Sequence, residues 1–227
     1  MGYGIEFSDE SIRSRFVSKV FGLVTIMFII VAVTCAMPFI FPTFMDWTQQ
    51  NKIFMIVACC VYAVMAIVLA CCTSVRRSFP LNIIVLGIFT LASGCMTMAV
   101  TATYNVQSVL LAFCITTGVS AAIAIFAITT KRDITSCLGI ACILGVTLFF
   151  FGLVAAIASI FFHVKFLYTV YAALGALLAM LYLAIDIQMV MGGKRYEISP
   201  EEYIFAAMQI FLDILNIFMF ILQLFKE

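Results

Sequence analysis

The sequence predicts an all-α integral membrane protein with seven transmembrane helices. Of its 227 residues, 66% are hydrophobic and 10% are charged, whereas a soluble domain has about a quarter charged and about half apolar residues. The mean hydropathy is +1.24, so most of the chain needs lipid as its solvent. The charged residues stand almost entirely between long apolar runs.

Seven apolar runs are long enough to cross the hydrocarbon core of a bilayer, which takes about 20 helical residues. In chain order they cover residues 20–41, 53–72, 81–103, 108–130, 134–162, 166–191 and 203–225. The connections between them are short and hold the turn-forming and charged residues. We therefore expect a short cytoplasmic tail over residues 1–19 and one seven-helix transmembrane domain over residues 20–227.

The distribution of the basic residues predicts the orientation of the chain in the membrane. Nine fall in the tail and in the second, fourth and sixth connections: Arg13, Arg15, Lys19, Arg76, Arg77, Lys131, Arg132, Lys194 and Arg195. Three fall on the other side: Lys52, Lys165 and Lys226. This asymmetry predicts a cytoplasmic N-terminus and, after seven crossings, a C-terminus on the opposite face. The basic residues do not cluster along one face, so no nucleic-acid partner is expected.

The connection between the sixth and seventh spans predicts a helical hairpin. Gly192 and Gly193 suit the left-handed conformation that ends a helix. The segment Ser199–Glu202 is typical of a helix start, with serine as the N-cap, proline at the first position and glutamate closing a capping box. Asp186 and Asp213 are nearly symmetric about this turn, so the hairpin brings them to a similar depth.

Asp186 and Asp213 are the only side chains within the seven spans that are formally charged at neutral pH. A charge at the centre of a membrane helix costs about 2.5–3.5 kcal/mol, so such residues face the bundle interior or a wet cavity. On the seventh span, Gln209, Asp213 and Asn216 have the spacing of a polar stripe. The alternative for Asp186, which lies near a span end, is a carboxylate that extends to the membrane interface.

Two carboxylates that meet in a low dielectric cannot both ionise cheaply, so they share a proton and titrate as a pair. This predicts a pH sensor coupled to the packing of the last two spans. When both groups are ionised, their oxygens suit Ca²⁺. Because two carboxylates and Asn216 are too few ligands for a tight site, we expect transient Ca²⁺ binding at Asp186 and Asp213 and no tightly bound cofactor.

The catalytic motifs sought are lacking: there is no Gly-rich phosphate loop, nucleophile elbow or zinc-protease motif. An enzyme is therefore not expected. A seven-helix receptor is disfavoured too, because the third span does not end in Asp-Arg-Tyr and the seventh holds no Asn-Pro-x-x-Tyr.

Several segments resemble the transmembrane BAX-inhibitor-motif family, and its Lifeguard branch in particular. These segments are Arg76–Asn82, Tyr171–Leu178, Asp186–Gln188, Ser199–Tyr203 and Leu212–Ile214. The resemblance covers the chain from about residue 8 to residue 225 and implies a fold whose last helix is central, with the other six around it. Ile187 departs from the family, whose Lifeguard members usually have threonine after the first aspartate.

The resemblance also implies a function: a pH-sensitive Ca²⁺ leak that restrains apoptosis, with Asp186 and Asp213 as the sensor. It implies an intracellular membrane such as that of the ER, Golgi or endolysosome, with the plasma membrane as the alternative. The implied partners are lipid, Ca²⁺, and apoptosis regulators or death receptors. Bacterial relatives set a basic residue against the aspartates, and Arg76 and Arg77 are the candidates for such a latch here.

An alternative function stays open beside the leak. A non-conducting membrane protein would inhibit death-receptor or ER-stress signalling by binding partners through its cytoplasmic loops. Ca²⁺ flux through the reconstituted protein distinguishes the two functions.

Overall fold

A computed structural model of the chain describes residues 3–162 and 165–225, with the side chains of residues 3–10, 52, 162 and 165 outside the description. The described residues form helices and contain no strand. The helices are α1 (Tyr3–Ile40), α2 (Pro42–Gln50), α3 (Lys52–Cys71), α4 (Thr73–Arg77), α5 (Leu81–Thr101), α6 (Val106–Thr129), α7 (Leu138–Phe162), α8 (Lys165–Met191) and α9 (Tyr203–Leu224). Short 3-10 turns cover Thr135–Cys137 and Pro200–Glu202.

Seven of these helices are long and apolar enough to cross a membrane: α1, α3, α5, α6, α7, α8 and α9. The predicted fold class is therefore confirmed. The spans begin and end within a few residues of the predicted limits, except the first. Helix α1 begins at Tyr3, inside the segment predicted as a tail, and its apolar span begins at Ser11.

The spans differ in how much of their surface the protein itself buries. Helices α5, α8 and α9 are about half buried, whereas α1, α3, α6 and α7 are less than a quarter buried. A transmembrane helix that is mostly exposed faces lipid. Helices α5, α8 and α9 therefore supply most of the buried surface. The fully buried side chains accordingly include Phe89 of α5, Leu183 of α8 and Phe211 of α9.

The chain divides into two compact units. The first comprises Met1–Val106 and Ile198–Phe211. In this unit α5 packs against α1 and α3, and Phe211 contacts Phe28 and Phe89 with ring centroids 4.9 and 5.9 Å away. The apolar aromatic cluster holds the first half of α9 in the unit.

The second unit comprises Gln107–Glu197 and Leu212–Glu227. Here α7 packs against α8, and Gly175 of α8 lies so close to Phe220 of α9 that an added Cβ would be 2.5 Å from the ring. A side chain at position 175 would therefore force the Phe220 ring to move. Helix α9 is shared by the two units. The arrangement of six helices around it stays a prediction, as does the single transmembrane domain.

The hairpin connection is confirmed at its first end and only in part at its second, where Ser199 is the N-cap and Pro200 stands at the first position but the predicted capping box does not form. Gly192 and Gly193 have φ of 75° and 71°, the left-handed conformation expected after α8. Ser199 makes no side-chain cap hydrogen bond. The amide of Glu202 donates to the Ser199 carbonyl at 2.9 Å instead, because the chain first makes a 3-10 turn and α9 begins only at Tyr203.

Candidate functional site

Asp186 and Asp213 are both buried in the second unit, with 4% and 9% of their surface exposed. Asp186 lies in α8 between the buried Ile185 and Ile187, so its side chain does not extend to the membrane interface. Asp213 lies at the middle of α9. The second half of α9, from Leu212 onward, belongs to the same compact unit as α8. The two helices thus place two acidic side chains in an apolar interior.

The two carboxyl groups lie within hydrogen-bonding reach of each other. A carboxylate has no hydrogen to donate, so this contact is a hydrogen bond only when one group holds a proton. In the described part of the chain, Oδ2 of Asp213 has no hydrogen-bond partner. The same part of the chain has no basic side chain paired with either group. The two carboxyls therefore meet without an ion pair among the described residues.

Tyr182 lies one turn before Asp186 and within electrostatic range of both carboxyls. Its hydroxyl donates to the carbonyl of Ala141 on α7 at 2.8 Å. The phenol thus attaches α8 to α7 beside the aspartates. Its hydrogen is used in this bond and is not donated to either carboxyl.

The other two members of the predicted polar stripe have different surroundings. Asn216 is exposed although Asp213, three residues earlier, is buried. Gln209 belongs to the first unit and is partly buried, and its Oε1 has no hydrogen-bond partner among the described residues. Spacing along a helix gives angular proximity but not the side of the stripe that neighbours cover. The role of Gln209 and Asn216 in an ion pathway stays a prediction.

Two carboxylates are a sparse set of ligands for a divalent cation. No group of three or more His, Cys, Asp or Glu side chains that could hold a metal occurs in the described residues. Asn216 is exposed, so the two carboxyl groups are the ligands that the predicted set retains in the buried position. Ca²⁺ takes six to eight oxygens, so the pair suits an ion that retains much of its water.

Arg76 and Arg77 make their ion pairs with glutamates inside the first unit. Nε of Arg76 lies 3.0 Å from Oε2 of Glu202, and the Arg76 guanidinium lies over the ring of Phe205. Arg77 donates to Oε1 of Glu202 at 2.7 Å and lies 3.3 Å from Glu201. The hydrogen bond to Glu202 raises the pKa of the Arg77 guanidinium. A latch from these arginines to the aspartates stays a prediction.

Sequence reasoning overlooked the glutamate partners and a buried amide. The second connection holds Arg76 and Arg77, and the sixth holds Glu201 and Glu202. Both connections are predicted to be cytoplasmic, and this was the signal for an ion pair between them. Gln188 is the only glutamine of the sixth span, and its side chain, 1% exposed, bonds to a connection more than 50 residues away. A polar amide in an apolar run was the signal there.

Seven membrane-length helices with two contacting carboxyls buried in the last two define a multi-pass membrane protein with an intramembrane acidic pair. A family model described as "Inhibitor of apoptosis-promoting Bax1" matches residues 13–227. The chain therefore belongs to this family of anti-apoptotic membrane proteins. This confirms the resemblance seen in the sequence.

The chain is similar to curated Lifeguard proteins over nearly its whole length. It is 40% identical to human Protein lifeguard 3 over 223 residues, covering 98% of this chain and 71% of the relative. Mouse Protein lifeguard 3 is 41% identical over 220 residues, 96% of this chain and 71% of the relative. Mouse Protein lifeguard 4 is 28% identical over 223 residues, 98% of this chain and 89% of the relative.

Proposed function

We propose that this protein is a pH-sensitive Ca²⁺ leak channel of an intracellular membrane that restrains apoptosis. In this proposal Asp186 and Asp213 are the pH sensor, and Ca²⁺ is the permeant ion. The observation that carries it is the contact of two buried carboxyls on transmembrane helices without a basic partner among the described residues. The family match supports the anti-apoptotic role, and no catalytic role is proposed.

The sensor works through the shared proton. With one proton held, the two carboxyls form a charge-assisted hydrogen bond, and α8 and the second half of α9 stay together at that point. When the proton leaves, two like charges face each other in a low dielectric, and their repulsion opposes the same packing. Ca²⁺ relieves that repulsion by binding the same carboxylate oxygens. Proton and Ca²⁺ therefore compete for one pair of carboxylates.

Ca²⁺ release from loaded liposomes between about pH 6 and 8 tests the proposal, because buried carboxyls titrate in this range. We expect Asp213→Asn to flatten the pH dependence of the flux, since asparagine keeps the size of the side chain but cannot change charge. Asp186→Asn has nearly the same effect, and the double variant adds little because both changes remove one shared proton. Asp46→Asn, at an exposed position of α2, is the matched control and leaves the profile unchanged.

The outcomes distinguish the leak from the alternative function. An unchanged pH profile in both single variants would defeat the acidic-pair sensor. No flux above that of empty liposomes, with folded protein, would favour a non-conducting protein that inhibits death-receptor or ER-stress signalling by binding its partners. The description of the matching family names inhibition of an apoptosis-promoting protein and does not mention transport, which favours this second function.

A further inference from the structure

Gln188 ties the end of α8 to the connection between α6 and α7. Its Oε1 accepts a hydrogen bond from the amide of Ile134 at 2.8 Å. Its Nε2 donates to the carbonyls of Arg132 at 3.0 Å and Ala127 at 3.2 Å. The amide oxygen and the amide nitrogen are therefore both engaged: two of the bonds reach the connection, and the third reaches Ala127 in the last turn of α6.

A second side chain ties the same connection to the turn after α8. Nζ of Lys194 donates to the carbonyls of Lys131, Arg132 and Thr130 at 3.1, 3.3 and 3.5 Å. These carbonyls lie just beyond the end of α6 at Thr129. An ammonium is a favourable partner at this end of a helix. We call the connection 130–135, with Gln188 and Lys194, the loop clasp.

Asp133 and Thr135 complete the loop clasp through backbone amides. Oδ2 of Asp133 accepts from the amide of Arg195 at 3.0 Å, and Oγ1 of Thr135 accepts from the amide of Tyr196 at 3.3 Å. The side-chain bond from Thr135 is the main reason that the pKa of Asp133 is lowered. The connection is thus attached to α8 and its turn at several separate points.

We infer that Gln188 is a positioning residue for Asp186. The two residues are two apart on α8, so they point about 200° apart around the helix. The amide side is fixed to the loop clasp, and the carboxyl side meets Asp213. Fixing one side of α8 sets its rotation and depth, and these decide whether the carboxyls meet. The benefit of this positioning to the protein rests on the proposed function. Whether Gln188 holds the carboxyls of Asp186 and Asp213 in contact does not.

The first experiment tests the loop clasp by limited trypsin digestion of the full chain in nanodiscs. Trypsin cuts after Lys131 and Arg132, whose carbonyls are the ones bonded to Lys194 and Gln188. Gln188→Met keeps the volume and loses the three bonds. We therefore expect cleavage there to become about tenfold faster, because the connection is detached from α8 in a larger fraction of the molecules. Gln223→Met is the matched control, because Oε1 of Gln223 has no partner among the described residues. An unchanged rate in Gln188→Met would overturn the loop clasp.

The second experiment tests the positioning by following the carboxyl infrared band of the pair during a pH titration. The band is assigned by its change in Asp213→Asn, which leaves only the carboxyl of Asp186. Coupled carboxyls titrate in two separated steps, and we expect Gln188→Met to bring those steps closer by about one pH unit, as a tenfold weaker coupling does. Gln223→Met leaves them unchanged. Faster cleavage with an unchanged titration would overturn the positioning role.

The infrared readout separates this inference from the proposed function. If the wild-type chain releases no Ca²⁺ but Gln188→Met changes the titration, the leak fails and the positioning role stands. If Ca²⁺ release follows the pair and Gln188→Met leaves both the titration and the flux profile unchanged, the leak stands and the positioning role is wrong.

Discussion

At the scale of single residues, the chain uses its acidic groups in two opposite ways. Asp186 and Asp213 lie in an apolar interior, and no basic side chain among the described residues forms an ion pair with them. Glu202, in contrast, lies at a helix start and pairs with Arg76 and Arg77. A buried ion pair adds little net stability, but removing one partner leaves an uncompensated charge. The two arrangements therefore respond differently to neutralisation of the acid.

We expect Glu202→Gln to destabilise the protein strongly. The side chains of Arg76 and Glu202 are 9% and 12% exposed, so the substitution leaves the Arg76 guanidinium buried without its carboxylate, at a cost of about 3 kcal/mol. Thermal unfolding in detergent should show a Tm lower by several degrees. Glu201→Gln is the control, because Glu201 and Arg77 are 70% and 52% exposed and water screens their interaction. Equal Tm values for the two variants would contradict a buried pair.

Asp133 gives a pH dependence with a definite sign. Its pKa is lowered in the folded protein, so its contribution to stability is fully present above the ordinary aspartate value of about 3.9. That contribution is lost as the pH falls through the folded value. We expect the Tm of the wild type to fall more steeply below about pH 4 than that of Asp133→Asn. Parallel curves would show that the Asp133 carboxylate does not stabilise the loop clasp.

At the scale of elements, the long spans could be predicted and the short helices could not. Each span averages hydropathy over about 20 residues, and lipid leaves the backbone no alternative to a helix. The nine-residue α2 and five-residue α4 form in the connections between α1 and α3 and between α3 and α5. Their conformation depends on contacts such as the bond from Gln49 to the carbonyl of Ala102 at 2.8 Å. Local sequence does not contain such contacts.

The acidic pair was predictable because only two charges fall in the spans and a glycine turn joins their helices. The surroundings of the pair were not. The exposure of Asn216, the glutamate partners of Arg76 and the three bonds of Gln188 all depend on residues distant in sequence. A hydropathy pattern gives the depth of a residue but not its neighbours.

We expect α2 to lie at the membrane–water interface. Trp47 is the single tryptophan of the chain, and its ring stacks on Phe44 at 5.6 Å while remaining 43% exposed. Since tryptophan favours the headgroup level, brominated lipids should quench its fluorescence most strongly when the bromine is shallow. Trp47→Phe provides the background signal. Strong quenching by aqueous iodide with none by lipid would contradict an interfacial α2.

At the scale of the whole molecule, an odd number of spans places the two ends of the chain on opposite faces. The nine-to-three distribution of basic residues predicts that the N-terminal end is cytoplasmic. Of these twelve residues, Lys226 lies outside the described residues. Protease protection of tags fused at the two ends, in sealed vesicles, checks this. We expect only the N-terminal tag to be digested from the cytoplasmic side, and digestion of both tags would contradict seven crossings.

Helix α5 has polar contacts of two kinds. At its start, Nδ2 of Asn82 donates to the hydroxyl of Tyr203 at 2.8 Å, and just beyond its end the Ala102 carbonyl accepts from Gln49. Between them, the buried hydroxyls of Thr90, Ser93 and Thr97 donate to carbonyls one turn back in α5 itself.

This difference has a mechanical consequence. Sliding of α5 along its axis would break the bonds at both ends. Bending of its middle would leave the three hydroxyl bonds intact, because donor and acceptor move together, and would change only van der Waals contacts. Helix α5 is thus held by hydrogen bonds to other helices at both ends, whereas the three hydroxyl bonds between its ends stay within the helix. Its motion is therefore expected to be bending of the middle rather than sliding along its axis.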